Sequence, residues 1–306
     1  MPNDRLELPI IHADAQSSAP PEFEKIAIFG LGLIGGSIAI AARNTWPAGL
    51  VIGVDEKSVL EQAMVLNAID VASDDPVVIA EADLVILAAP VRVNIRLLEE
   101  LPQNVSANAV ITDVSSTKRM IVDASLSLPA RLKFVGGHPL GGAPRGGIEH
   151  ARPDLFQERP WIFTPTDDTD LVSLEKLQRF VTGLGAKPHT LSPSEHDRLL
   201  ACLSHLPQLA ASALMHVVGE AVGDHGLSLT GRGLADTTRL ATSPASIWRD
   251  ICLTNTDEVK EALDTFIAEL ESLRNDLASG DDLVRIFDSA GKWRKILAQK
   301  RAKIST

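Results

Sequence analysis

The chain contains no tyrosine; 8 Phe and 4 Trp supply all its benzenoid rings in 306 residues. The phenol, a common general acid, is therefore absent from any mechanism the protein runs. Cysteine is nearly absent too. Cys202 and Cys252 stand fifty positions apart, with neither C-x-x-C nor Cys/His zinc spacing. That excludes a disulfide scaffold, offers no metal site, and leaves both as expected small buried thiols. Positive charge is in deficit, with 29 Lys and Arg against 40 Asp and Glu, for a net charge of −11. Such a surface repels nucleic acid and anionic membranes, and no dense basic run offsets it. Long apolar runs are missing as well, since Asp, Gly or Pro interrupts them within about ten residues. The N-terminus lacks a cationic start followed by an apolar stretch, so it does not resemble a signal peptide. These absences predict a soluble, cytoplasmic protein with no nucleic-acid or membrane partner.

What is present is ample apolar material, 45% of the residues, and a length that suits about two domains. Residues 1–23, rich in Pro, Ser, Ala and acids, are expected to form a flexible tail. From residue 24 to 191, short apolar runs alternate with helix-period segments. Lys25–Phe29, Val51–Val54, Leu84–Ala88, Val110–Asp113, Phe134–Val135 and Trp161–Thr164 are predicted strands, with a short one near Pro188–Leu191. Ser37–Asn44 and Asp168–Leu184 are predicted helices. Continuous apolar strands separated by helices predict an α/β fold built on a parallel sheet covered on both faces. At Ser192 the character changes, and β-branched runs vanish. Ser192 suits a helix cap, with Pro193 in the first turn and Glu195 at the capping-box position. Leu199–Val222 and Val259–Leu277 carry long apolar periodicity, so residues 192–306 are expected to form a helical domain.

The first strand runs directly into Gly30-Leu31-Gly32-Leu33-Ile34-Gly35, a G-x-G-x-x-G turn opening a helix. Gly30 permits the tight turn and Gly32 lets backbone N–H groups approach a pyrophosphate. Gly35 allows close helix–strand packing, and the helix N-terminus adds a positive dipole. The second strand ends at Asp55, twenty residues after Gly35, where a carboxylate accepts both hydroxyls of an adenosine ribose. Asp55 and Glu56 repel a 2′-phosphate, which favours NAD over NADP, with Lys57 as a partial offset. Ligands bind beyond the carboxyl ends of strands in such sheets. There Ala88-Ala89-Pro90 forms an apolar wall suited to a nicotinamide, followed by Asp113-Val114-Ser115-Ser116-Thr117-Lys118. The Ser/Thr cluster also suits a plain helix cap. His138 sits within a glycine-dense stretch, Gly136 to Gly147, expected to be a loop at the ligand edge. His205 precedes Pro207, whose kink is expected to turn the imidazole out of regular packing. Arg239 is either a surface partner of Asp236 or a bidentate carboxylate clamp.

Together, G-L-G-L-I-G-G, D-V-S-S-T-K, G-G-H-P-L-G-G, S-H-L-P and D-T-T-R-L-A-T-S-P-A-S-I-W-R-D-I resemble the prephenate/arogenate dehydrogenases of tyrosine biosynthesis, over about residues 24–275. The resemblance implies a Rossmann-type nucleotide-binding domain followed by an all-helical dimerisation domain, acting as a homodimer. It implies oxidative decarboxylation of prephenate to 4-hydroxyphenylpyruvate with hydride transfer to NAD. His138 matches the acceptor for the ring hydroxyl and Ser116 the serine that orients it. His205 matches the second active-site histidine, Arg239 the arginine on the ring carboxylate, and Trp248 a tryptophan lining the substrate site. Gly30, Gly32, Leu33, Ile34, Gly35, Asp55, Ala89 and Pro90 are the expected cofactor contacts. One departure stands out: Ala143-Pro144 occupies the place where the family often has Ser or Thr followed by a polar residue. Recognition of a keto or an amino side chain therefore stays open, with arogenate or dual specificity as the alternative and Arg145 a candidate for the side-chain carboxylate. A β-hydroxyacid dehydrogenase would need a catalytic lysine between Ser192 and Met215, where there is none. A non-catalytic NAD(H)-sensing module is the remaining alternative.

Overall fold

The computed structural model describes residues 20–142 and 145–302. Eight strands form one sheet: β1 Lys25–Phe29, β2 Leu50–Val54, β3 Val71–Ser73, β4 Leu84–Leu87, β5 Ala109–Asp113, β6 Leu132–Pro139, β7 Pro160–Thr164 and β8 Lys187–Thr190. Their spatial order is β3-β2-β1-β4-β5-β6-β7-β8, so the chain reverses its direction of travel across the sheet after β3. The crevice beside Gly30 and Ala88 is the switch point where such sheets take ligands.

The helices α1 Leu33–Thr45, α2 Lys57–Val65 and α5 Leu171–Gly183 supply one face, and α3 Val91–Asn104 and α4 Arg119–Ser125 the other. Ile38, Leu60, Leu177 and Phe180 bury against Ile26, Ile28 and Ile86 on the first face, while Leu98, Leu101 and Ile121 pack on Ala27, Val85 and Ile111 on the second. Alternate residues of the same strands thus point to opposite cores, which is why the central strands are apolar throughout.

The expectation of an all-parallel sheet is corrected at one place. β6 and β7 pair antiparallel, with His138 opposite Ile162. Among its described residues the connection between them holds only a short 3₁₀ turn, whereas a parallel return usually runs through a crossover helix. β3 was not predicted; three half-exposed residues are too short for an apolar run to show. Phe23, placed by composition in the tail, is buried and meets Phe180 edge-on at 5.7 Å. Residues 1–19 lie outside the described residues.

After β8 the chain is helical. Ser192 caps α6 Pro193–Leu200 by accepting from the Glu195 N–H at 3.2 Å. A π-helical turn, Ala201–His205, leads into α7 Leu206–Leu227. Pro207 lacks the N–H that an unbroken α-helix needs there, so the ladder widens by one residue. Then come α8 Arg232–Thr237, a 3₁₀ turn Arg239–Thr242, α9 Ala245–Thr254, α10 Thr256–Asp276 and α11 Asp281–Ala302. Contrary to expectation, the helical stretch Pro193–Leu227, kinked at Gly223 where φ is +59°, is long and apolar enough to cross a membrane by length and composition. Cys202 is exposed rather than buried.

The core of this second region is small, with Ala201, Val259 and Ala262 as its fully buried centre. Leu214, Val217, Phe266, Ile267 and Leu270 are all exposed. A patch of this kind is expected to be covered by another protein surface.

Candidate active site

The phosphate cradle follows from three glycines used in three ways. Gly30 has φ +88°, and a Cβ there would lie 2.8 Å from the backbone of Ala88 and Ala89. A Cβ on Gly35 would strike the Gly30 carbonyl oxygen at 1.9 Å, so α1 seats against β1 only with glycine at that position. Gly32 has open space where a Cβ would sit, as the approach of a pyrophosphate requires. α1 begins without a side-chain cap and without an acid in its first turn, leaving its positive end for an anion. Asp55 accepts the Leu31 N–H at 2.6 Å and the Glu56 N–H at 2.7 Å. Its carboxylate therefore stands at the end of β2, locked to the cradle. These residues suit the diphosphate and ribose of a dinucleotide.

The apolar wall Ala88–Ala89–Pro90 is held by a residue that sequence inspection missed. Asn94, fully buried on α3, accepts the Ala89 N–H at 3.1 Å and donates to the Leu87 and Ala89 carbonyls at 3.0 and 2.8 Å. The same Nδ2 lies 3.0 Å from Ser115 Oγ, so that one amide stands between the end of β4 and the end of β5.

A cavity of about 900 Å³ opens between the two domains, within the usual range for small-molecule sites. Gly32, Leu33, Ile34, Ala89 and Pro90 line its nucleotide side, and Ser116, Arg239 and Trp248 its far side. Arg239 is exposed on the 3₁₀ turn, makes no ion pair with Asp236 among the described residues, and is the one cation lining the cavity there. Gln208 pins its turn: Nε2 donates to the Leu240 carbonyl at 2.8 Å, and Oε1 accepts from the Ser243 hydroxyl at 3.1 Å. Arg145 is exposed, and Ala143 and Pro144 lie outside the described residues.

The Ser/Thr cluster is not a helix cap. α4 carries no side-chain cap of its own. Asp197, from α6, accepts the Lys118 and Arg119 N–H groups at 2.7 and 2.9 Å. Arg119 in turn pairs with Asp257, and the Thr117 and Thr254 hydroxyls share a hydrogen bond of 2.7 Å. The two domains are thus joined by polar contacts at the start of α4. Lys118 is fully buried in an ion pair with Asp113 and donates to the Gly137 carbonyl at 2.7 Å. Burial pushes its ammonium below the ordinary lysine value, against the pull of Asp113.

His138 is corrected from loop to strand, on β6. Its neighbours are glycine for steric reasons: a Cβ on Gly137 would lie 2.7 Å from the Asp113 carbonyl, and one on Gly136 2.4 Å from Thr164 Oγ1. The ring is buried, and His138 Nδ1 lies 2.8 Å from His196 Nε2, with His196 Nδ1 2.8 Å from Asp197 Oδ1. Burial, reinforced by His196 and Lys118, holds the His138 imidazole well below its ordinary value. His196 and Asp197 follow the predicted cap of α6 directly, yet sequence alone showed only the cap.

His205 is not turned outward. The π turn buries it, with Nδ1 3.5 Å from the Asn255 amide and its ring edge-on to Trp248 at 6.0 Å. Its Nε2 is enclosed without a partner, and burial lowers it to about 4. An unfolded histidine takes its proton near pH 6.5. Between that value and about 4 the unfolded state binds more protons, so stability falls as pH drops through this window. His205 is expected to remove about 2 kcal/mol between pH 7.5 and pH 5. Urea unfolding of the wild type and of His205→Gln at both values tests this. An equal loss in the variant would eliminate His205 as the source.

Residues 38–190 match the family described as "Prephenate dehydrogenase, nucleotide-binding domain", and residues 192–289 match "Prephenate dehydrogenase, dimerization domain". A prephenate dehydrogenase of Bacillus subtilis is 36% identical over 281 residues, covering 89% of this chain and 75% of the relative. A cyclohexadienyl dehydrogenase of Zymomonas mobilis is 33% identical, covering 90% of this chain and 96% of the relative. The crystal structure of prephenate dehydrogenase from A. aeolicus in complex with hydroxyphenyl propionate and NAD+ superposes with a TM-score of 0.84 at 29% identity, over 90% of this chain and 98% of that one.

Proposed function

The chain belongs to the prephenate dehydrogenase family, and from that premise we propose the division of labour by which its residues convert prephenate to 4-hydroxyphenylpyruvate. The protein is an NAD-dependent oxidoreductase with a Rossmann-type domain and a helical dimerisation domain. The observation that carries the proposal is a cavity that brings the Gly32–Ile34 part of the cradle and the Ala89–Pro90 wall within one space with Ser116, Arg239 and Trp248.

NAD, when bound, supplies the acceptor for the hydride that leaves the hydroxyl-bearing ring carbon. As that bond breaks, the ring carboxylate departs as CO₂ and its electron pair completes the aromatic ring. Aromatisation drives the decarboxylation, so the protein has to align the ring and manage one proton. His138, held neutral by burial, accepts the hydroxyl hydrogen as the C–O bond gains double-bond character and returns it to the phenolate oxygen. Ser116 orients the hydroxyl from the end of β5. Arg239 holds the ring carboxylate, Trp248 packs against the ring, and His205 backs Trp248 from the π turn. Asp55 holds the adenosine ribose.

Prephenate is a dianion and the protein carries a net charge of −11, so attraction has to be local. Arg239 is exposed at the cavity, which reduces its contribution through solvent screening. Arg239→Ala is expected to raise KM for prephenate roughly 30-fold, equivalent to about 2 kcal/mol, with KM for NAD unchanged. An unaltered KM would make Arg239 a mere surface residue.

We also propose that a second copy of the chain covers the exposed apolar face of the helical domain, giving a soluble cytoplasmic homodimer. The small core around Ala201, Val259 and Ala262 supports this, because so few buried side chains stabilise a helical domain poorly. Initial rates of NADH formation with prephenate and with arogenate test the activity. Turnover of prephenate is the expected result, and faster turnover of arogenate would reassign the substrate. Binding of NAD without turnover of either would identify a sensor.

A further inference from the structure

We propose that His196, anchored by Asp197, is a positioning residue that holds His138 in its Nδ1–H tautomer and so leaves the Nε2 lone pair for the substrate hydroxyl. The inference rests on the reading of His138 given above.

The order of hydrogens along the chain of contacts follows from its far end. The Asp197 carboxylate meets four nitrogens: the Lys118 N–H at 2.7 Å, the Arg119 N–H at 2.9 Å, Arg119 Nε at 3.3 Å and His196 Nδ1 at 2.8 Å. Backbone N–H groups only donate, so this carboxylate is an acceptor and ionised. Burial opposes that charge, but the hydrogen bonds from His196 and from the two backbone groups hold it below the ordinary carboxylate value. His196 Nδ1 therefore carries a proton. Burial keeps the ring below its ordinary value in spite of Asp197, so the ring is neutral and its Nε2 presents a lone pair. The atom 2.8 Å from that lone pair is His138 Nδ1, which must then be the donor. In a neutral imidazole one nitrogen donates and the other accepts. His138 Nε2 is left as the acceptor. It makes no hydrogen bond among the described residues, within a ring that is itself buried.

The arrangement also says which part of the fold controls the tautomer. His138 lies on β6 of the nucleotide-binding domain, whereas His196 and Asp197 lie on α6 of the helical one. The charged groups surrounding the pair are the Asp113–Lys118 ion pair and Arg119 on the sheet side, with His205 on the helical side. None of these takes the His138 Nδ1 hydrogen. Without His196 the ring is free to place its proton on Nε2, where it opposes a hydroxyl hydrogen instead of accepting it. The same logic makes a misassigned tautomer costly wherever one imidazole nitrogen must accept a proton.

Nitrogen-15 NMR of histidine-labelled enzyme reads the tautomer directly. The expected result is a protonated Nδ1 on His138 in the unaltered protein and a shift toward Nε2–H in His196→Leu. Kinetically, His196→Leu is expected to lower kcat for prephenate about 10²-fold with KM for NAD unchanged. His196→Gln, which restores an acceptor near the former Nε2, is expected to recover most of that loss. In a His138→Ala background, adding His196→Leu is expected to change kcat less than about 2-fold, since residues acting as one unit are non-additive. A wild-type His138 protonated on Nε2, or equal losses in the Leu and Gln variants, would overturn the proposal. The measurement on the unaltered enzyme decides even if His196→Leu fails to fold. Full activity in His138→Ala would instead sink the role of His138 itself, whichever tautomer the spectrum shows.

Discussion

Replacing His138 by alanine is expected to lower kcat for prephenate by about 10² to 10⁴, the usual range for loss of acid–base assistance. KM for NAD should stay near its starting value, because His138 lies on β6 while the cradle is built from β1, β2 and α1. The separation of the two constants is what gives the test its force. A general disturbance of the sheet would move both, whereas loss of a group that acts on the reacting hydroxyl moves kcat alone. The pH profile adds a second readout. Burial holds His138 well below the ordinary histidine value, so activity should not decline near pH 6.5 through protonation of this residue. An acidic limb at 6.5 that disappears in the variant would contradict the neutral, buried base.

The second large effect concerns stability. Lys118→Ala leaves the Asp113 carboxyl at the end of β5 with no exposure to solvent and no cationic partner. Breaking a buried pair in this way costs about 3–5 kcal/mol, and urea denaturation measures it. The loss should be partly reversed in the double variant Asp113→Asn, Lys118→Met, since removing both charges also removes the uncompensated one. Asp113 does more than pair: it accepts the Ser115 N–H at 2.9 Å and the Gly137 N–H at 3.0 Å. The double variant is therefore expected to fold but to recover only part of its activity, because these bonds set the ends of β5 and β6. A single variant losing less than about 1 kcal/mol would show that the pair is far better solvated than its burial implies.

Several features could be seen in the residues before any coordinates. G-x-G-x-x-G between an apolar strand and a helix has few physical uses, and Gly30, Gly32 and Gly35 occupy the positions that reasoning assigns them. The cap at Ser192 is local chemistry over four residues, and so is readable in order along the chain. The apolar runs of β1, β4 and β5 are visible because those strands are buried on both faces. Other features were hidden because their cause is not local. The direction of β7 depends on the path of a twenty-residue connection, and β3 on pairing with β2. Asn94 reads as an ordinary helix residue until its amide is found spanning two strand ends.

The sequence by itself determined the dinucleotide cradle, the boundary between sheet and helices, and the set of motifs that marks the family. These depend on short-range sterics, periodicity and capping, which neighbouring residues impose on one another. Only the tertiary structure decided that Asp197 caps a helix almost eighty positions away, that Lys118 is buried against Asp113, and that His196 stands behind His138. Burial of charge and the direction of a hydrogen bond depend on what surrounds a group in space. In this protein those surroundings are contributed by two domains at once.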